Sequence, residues 1–127
     1  MNKYITITRG ALYLGTKKIP RWENSKQTYT IKTQEGKARI ISPQLALYQY
    51  EKGTDYSPAR YHVIHISTGL VIADITYDLV KDVKETFEKN EWSLRGENTF
   101  VLQYSQNLQW EFTCYIRYDV NQISTES

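Results

Sequence analysis

The residue types that most often carry chemistry stand far apart in this chain. His62 and His65 are the two histidines, Cys114 is the single cysteine, and Asp74 and Asp78 bracket Thr76. A metal centre needs several nitrogen, sulfur or oxygen donors that converge. The histidines lie in Arg60–Ile66, a run that reads as a strand, where residues three apart point to opposite faces. Neither a metal nor a cofactor is expected; one imidazole should lie on the wet face and the other at the sheet margin. Cys114 shares an apolar register with Phe112 and Ile116, so it reads as a small buried hydrophobe rather than a nucleophile, which would need an exposed, electropositive setting. The carboxylates of Asp74 and Asp78 are explained by a helix start, whose dipole favours negative charge. Isolated glycines make no phosphate loop, and neither G-x-S-x-G nor H-E-x-x-H occurs. No catalytic set emerges, and the chain reads as no enzyme.

Binding chemistry is better represented. Lys17-Lys18-Ile19-Pro20-Arg21-Trp22 interleaves cations with an indole, a composition suited to phosphate contact and base stacking. It belongs to a wider asymmetry. Residues 1–40 carry nine basic groups against Glu23 and Glu35, a net of +7, while the rest of the chain carries seven basic and twelve acidic groups, a net of −5. The candidate binding residues are therefore Lys17, Lys18, Arg21, Trp22, Lys26, Lys32, Lys37 and Arg39. They must face either a polyanion or the acidic half of the same chain.

The elements that position these residues are mostly strands. Leu108, Trp110, Phe112, Cys114, Ile116 and Tyr118 alternate with more polar residues, predicting one strand from Leu108 to Tyr118 with that set inward. With Thr99–Tyr104 and the polar break Ser105-Gln106-Asn107 it makes a hairpin, expected at the sheet centre. Tyr4–Thr8, Gln27–Thr33 and Lys37–Ile41 alternate as well, and Arg9-Gly10 suggests a short hairpin or bent pair near the start. Ser42-Pro43 and Gly53 frame a short helix over 43–52, although the interior, Gln-Leu-Ala-Leu-Tyr-Gln-Tyr-Glu, fits a strand almost as well. Arg60–Ile66 and Leu70–Asp74 form a strand pair. From Thr76 to about Asn90, Val80, Val83 and Phe87 recur at helical spacing. The reading is α+β: a mainly antiparallel sheet of short strands, one amphipathic helix (about 76–90) on one face, and a second half of β-β-α-β-β.

A length of 127 residues fits one domain over 1–120 with a polar, frayed tail at 121–127. One cysteine permits no internal disulfide, and the start is no apolar leader block, which together suit the cytoplasm. The longest aliphatic run, Leu70–Ala73, is far too short for a membrane span. Eleven tyrosines suit half-buried strand faces and also interaction surfaces. The expected function is a non-enzymatic protein-binding module docking on a larger, nucleic-acid-handling partner, in the manner of small phage or plasmid inhibitors such as anti-CRISPR proteins and nuclease inhibitors. The alternative is a small nucleic-acid-binding protein using the basic N-terminal third, with weak binding.

Overall fold

The alternating run near the start forms one long strand, β1 (Asn2–Tyr13), in a computed structural model that describes residues 2–13, 29–31, 36–103 and 107–126. Ile5 and Ile7 are fully buried while Tyr4 and Thr6 lie on the opposite face. Arg9-Gly10 makes no hairpin: β1 continues through it, and its pairing with the C-terminal strand slips register between Thr8 and Ala11. A bulge bends a strand without ending it. Two short strands, β2 (Tyr29–Ile31) and β3 (Gly36–Ile40), pair with the far and near parts of β1.

Residues 43–52 form no helix. β4 (Leu45–Glu51) is a strand between β3 and β5 (Arg60–His65). Ser42 does cap, but it caps a turn: its hydroxyl accepts from the Leu45 N–H at 3.2 Å. The first part of β4 is covered on both faces, with Leu45 and Leu47 in one cluster and Ala46 and Tyr48 in the other, while Gln49, Tyr50 and Glu51 are exposed. A strand buried on both faces loses its polar alternation, and pairing on both edges outweighs the helix frame.

β6 (Val71–Ile75) pairs back on β5. A 3₁₀ turn over Tyr77–Leu79 then leads into α1 (Val80–Lys89). Thr76 precedes the turn as expected, but its hydroxyl bonds the Asp78 carboxylate instead of a helix N–H. Three further strands, β7 (Trp92–Arg95), β8 (Thr99–Gln103) and β9 (Gln109–Thr113), make a separate antiparallel sheet in that order. The expected hairpin exists, running from Thr99↔Thr113 to Gln103↔Gln109. It is not the sheet centre, however, and its second strand does not reach Tyr118. The Asn98 side chain donates to the Cys114 carbonyl at 2.8 Å, and the Cys114 N–H donates to the Asn98 carbonyl at 2.7 Å. Beyond that clamp the chain crosses to the larger sheet as β10 (Ile116–Glu126). The segment expected as a frayed tail is, through Glu126, the far part of β10, paired with β1 down to Glu126↔Asn2. Strand pairing uses backbone groups, so a polar sequence does not prevent it.

The larger sheet runs β10-β1-β3-β4-β5-β6, with β2 beside β1. Its two ends curl toward each other. Leu70 bridges Arg117, and the Tyr118 N–H donates to the Gly69 carbonyl at 2.9 Å. The Tyr118 ring reaches Tyr48 on β4 at 5.5 Å, a contact across the interior that only a curled sheet permits. Inside lie Ile5, Ile7, Ala38, Ala46, Ile64, Val71 and Tyr118. Outside β4–β6 a second cluster, including Leu47, Val63, Ile75, Phe87 and Phe100, is covered by α1 and the small sheet. The fold is α+β, a mainly antiparallel sheet of short strands with one short helix packed against it.

Candidate functional site

α1 presents Val80, Val83 and Phe87 to the protein and leaves Lys81, Asp82, Lys84 and Glu85 in water, as helical spacing requires. Phe87 begins a run of rings. It stacks on Trp92 at 5.8 Å and meets Phe100 edge-on at 5.8 Å. Trp92 then meets Phe112 at 5.3 Å and Trp110 at 6.2 Å. The run ends in a surface cleft of about 250 Å³. Its walls are Ile72 and Ala73 of β6, Asp82, Val83 and Thr86 of α1, and the aromatic groups of Trp92, Trp110 and Phe112. The inward register expected for Leu108 and Trp110 fails here: they are 65% and 51% exposed. Both precede the clamp at Cys114, Leu108 just before β9 and Trp110 on it, an edge strand whose apolar face extends past the cover that α1 supplies.

Cys114 itself is buried, and burial pushes its thiol up to about 12, so it is not a thiolate near neutral pH. The histidines do take opposite faces, yet neither lies on a wet one. His65 is half-buried beside Phe87 and Phe100, its ring nitrogen 2.8 Å from the Thr68 hydroxyl. His62 is buried inside the curled sheet, where Nδ1 lies 2.8 Å from the Tyr118 hydroxyl and Nε2 lies 3.6 Å from Asp74. The Asp74 carboxylate favours the proton on Nε2, leaving Nδ1 to accept from Tyr118. Asp74 also accepts from the Tyr50 hydroxyl at 2.8 Å and from Arg60 at 2.9 Å, while the Tyr50 ring stacks on His62 at 3.9 Å. Burial lowers His62 to about 4, partly opposed by Asp74; it raises Tyr118 above the usual phenol range. A neutral, weakly basic imidazole between a hydroxyl and a carboxylate satisfies buried polar groups at the mouth of the curled sheet. Asp74 and Asp78 take separate partners and form no carboxylate pair. Among the described residues no three His, Cys, Asp or Glu side chains converge as metal ligands, and no helix is long and apolar enough to cross a membrane.

Of the candidate binding residues, Lys17, Lys18, Arg21, Trp22, Lys26 and Lys32 lie outside the described residues. Lys37 and Arg39 share the outward face of β3 and are exposed. The Lys37 ammonium sits 4.6 Å above the Tyr4 ring, and Arg39 donates to the Tyr77 hydroxyl at 3.4 Å. Tyr77 in turn meets Tyr61 edge-on at 5.5 Å. Cations thus alternate with rings across β1, β3 and the 3₁₀ turn, and among the described residues neither cation pairs with a carboxylate.

Sequence reading passed over the cleft because its walls come from three separate stretches, each of which reads as ordinary core. The alternation of Trp110 and Phe112 marked a shared face; nothing in it marked where the cover ends. No family model, curated protein or solved structure matches the chain. The functional reading therefore rests on geometry.

Proposed function

We propose that this chain is a non-enzymatic protein-binding module that receives an apolar side chain of a larger partner in the cleft between α1 and β9. The observation that carries it is the half-exposed Trp110 at the open end of a continuous aromatic run. Exposed large rings backed by a rigid core are the usual anchors of interfaces, because little conformational freedom is lost when they are covered. An inhibitor of phage or plasmid type, docking in the cytoplasm on a nucleic-acid-handling partner, is the form of this reading that also employs the Lys37–Arg39 strip. The test is selection of displayed peptides on the purified chain, followed by affinity measurement against Trp110→Ala. Selected peptides should lose about tenfold or more, the scale of an interface anchor. Peptides that bind the variant as well as the parent would remove the cleft from the function.

A second reading is nucleic-acid binding through the basic third. It is favoured by the alternation of Tyr4, Lys37, Arg39 and Tyr77 with no compensating carboxylate among the described residues. Fluorescence anisotropy with single- and double-stranded probes at two salt concentrations tests it. Binding should be micromolar or weaker, and Lys37→Ala/Arg39→Ala should flatten the log–log salt slope by roughly 0.7–0.9 for each phosphate no longer neutralised. Nanomolar binding at physiological salt that collapses in this variant would put nucleic acid first.

A further inference from the structure

We infer that the cleft takes its partner as an extended segment added alongside β9, with a basic residue of that segment beside Asp82; this deepens the docking reading above and rests on it. Three observations lead to it. First, two strand edges meet at the cleft. β9 is the last strand of β7-β8-β9, and β6 is the last of the larger path, with Leu70 just before it bridging Arg117 of β10. Among the described residues no strand pairs with the outer edge of Gln109–Thr113 or of Val71–Ile75. An open edge is a row of N–H and C=O groups without a neighbouring strand, a template for another extended chain.

Second, Trp110 and Phe112 enter the cleft as alternate residues, while Glu111 between them turns away to pair with Arg95 at 2.5 Å. A segment laid along β9 would set its own alternate side chains beside these rings, about 7 Å apart. A partner helix would present side chains at spacings of three and four and would leave the β9 edge without a strand beside it. The cleft, at about 250 Å³, accommodates a pair of large side chains and not a whole helix face.

Third, Asp82 is the one ionisable group lining the cleft among the described residues, and it makes no ion pair there. A carboxylate at the rim of an apolar site selects a cation next to the apolar anchor. The fitting occupant is thus a short segment alternating large apolar and small polar residues, with a Lys or Arg at one end.

The experiment uses the full chain and three synthetic peptides of one composition: an alternating Phe/Val and Thr sequence ending in Lys, the same sequence N-methylated at every second amide, and a permutation at helical spacing. Affinity is read by fluorescence anisotropy and contact by amide hydrogen exchange. The alternating peptide should bind best and protect amides of 109–113. N-methylation on the edge-facing register should weaken it by about tenfold, because main-chain bonds carry affinity in strand addition. Asp82→Asn should weaken it by about threefold and reduce its salt dependence, the scale of a rim ion pair. Equal binding by the N-methylated peptide, or preference for the helical permutation, with Trp110→Ala still abolishing binding, overturns the strand mode and leaves the anchor reading standing. Binding indifferent to Trp110→Ala removes both. Self-association of the chain that Trp110→Ala abolishes would make a second copy the occupant and overturn the proposal.

Discussion

His62 and Trp110 show how burial, more than residue type, decides what a side chain does. His62 is neutral in the fold because desolvation depresses it to about 4, while an unfolded histidine titrates near 6.5. Between those values the unfolded chain binds more protons than the folded one, so stability falls as pH falls through that window and is undiminished above it. The contribution approaches about 3 kcal/mol at the acid end, an upper figure given the partly open neighbourhood of Asp74. Denaturant titrations at pH 7 and 4.5 should show a larger acid loss for the parent than for His62→Gln, and equal losses would mean His62 is not buried as described. Trp110 is the opposite case. Its half exposure predicts that Trp110→Ala changes stability by no more than about 1 kcal/mol, whereas Phe100→Ala, fully enclosed, should cost about 3–5 kcal/mol. Chemical denaturation of the two variants separates them. Comparable losses would put Trp110 back in the core and close the cleft as a docking site.

At the level of elements, the tightest constraint is at Gly69. Its φ is +76°, and a Cβ there would lie 2.1 Å from the Tyr118 carbonyl oxygen. Gly96 also has a positive φ, +69°, but open space around it. Gly96→Ala should therefore cost only the left-handed strain, about 1–2 kcal/mol. Gly69→Ala adds displacement of β10 and should cost about 2–4 kcal/mol or prevent folding; melting curves of both variants check the ranking. The contrast also marks how far the sequence was legible. Period-two runs announced β3 and the first part of β1, and Val80, Val83 and Phe87 announced α1, because each is apolar on one side only; β5, with Val63 and Ile64 buried on opposite faces, read as a strand through its β-branched residues. β4 was obscured by being buried on both. The Asp74–His62–Tyr118 chain joins residues up to 56 positions apart, a closeness that exists only once the sheet curls. The clamp of Asn98 on Cys114, which splits one apparent strand between two sheets, leaves no periodic trace at all.

For the molecule as a whole, β10 is structural to its far end. Removing residues 122–127 should lower the melting temperature by several degrees, on the scale of roughly 4–8 °C per kcal/mol for small domains, because Asn2–Thr6 lose their partners. A truncation with unchanged melting would show that those pairs contribute nothing. The same pairing governs how the molecule assembles in time. Asn2 opposes Glu126, so the large sheet cannot finish until the last strand is available, and the loop that must close spans nearly the entire chain. Such distant contacts place folding in the slow, millisecond-to-second regime of β-rich domains. During synthesis β1 waits with one edge open while everything between is made, a period of aggregation risk. A circular permutant that joins the two ends and opens in the exposed 52–59 loop would turn that slowest contact into a local hairpin. It should refold faster than the parent at equal or greater stability, as stopped-flow fluorescence would record.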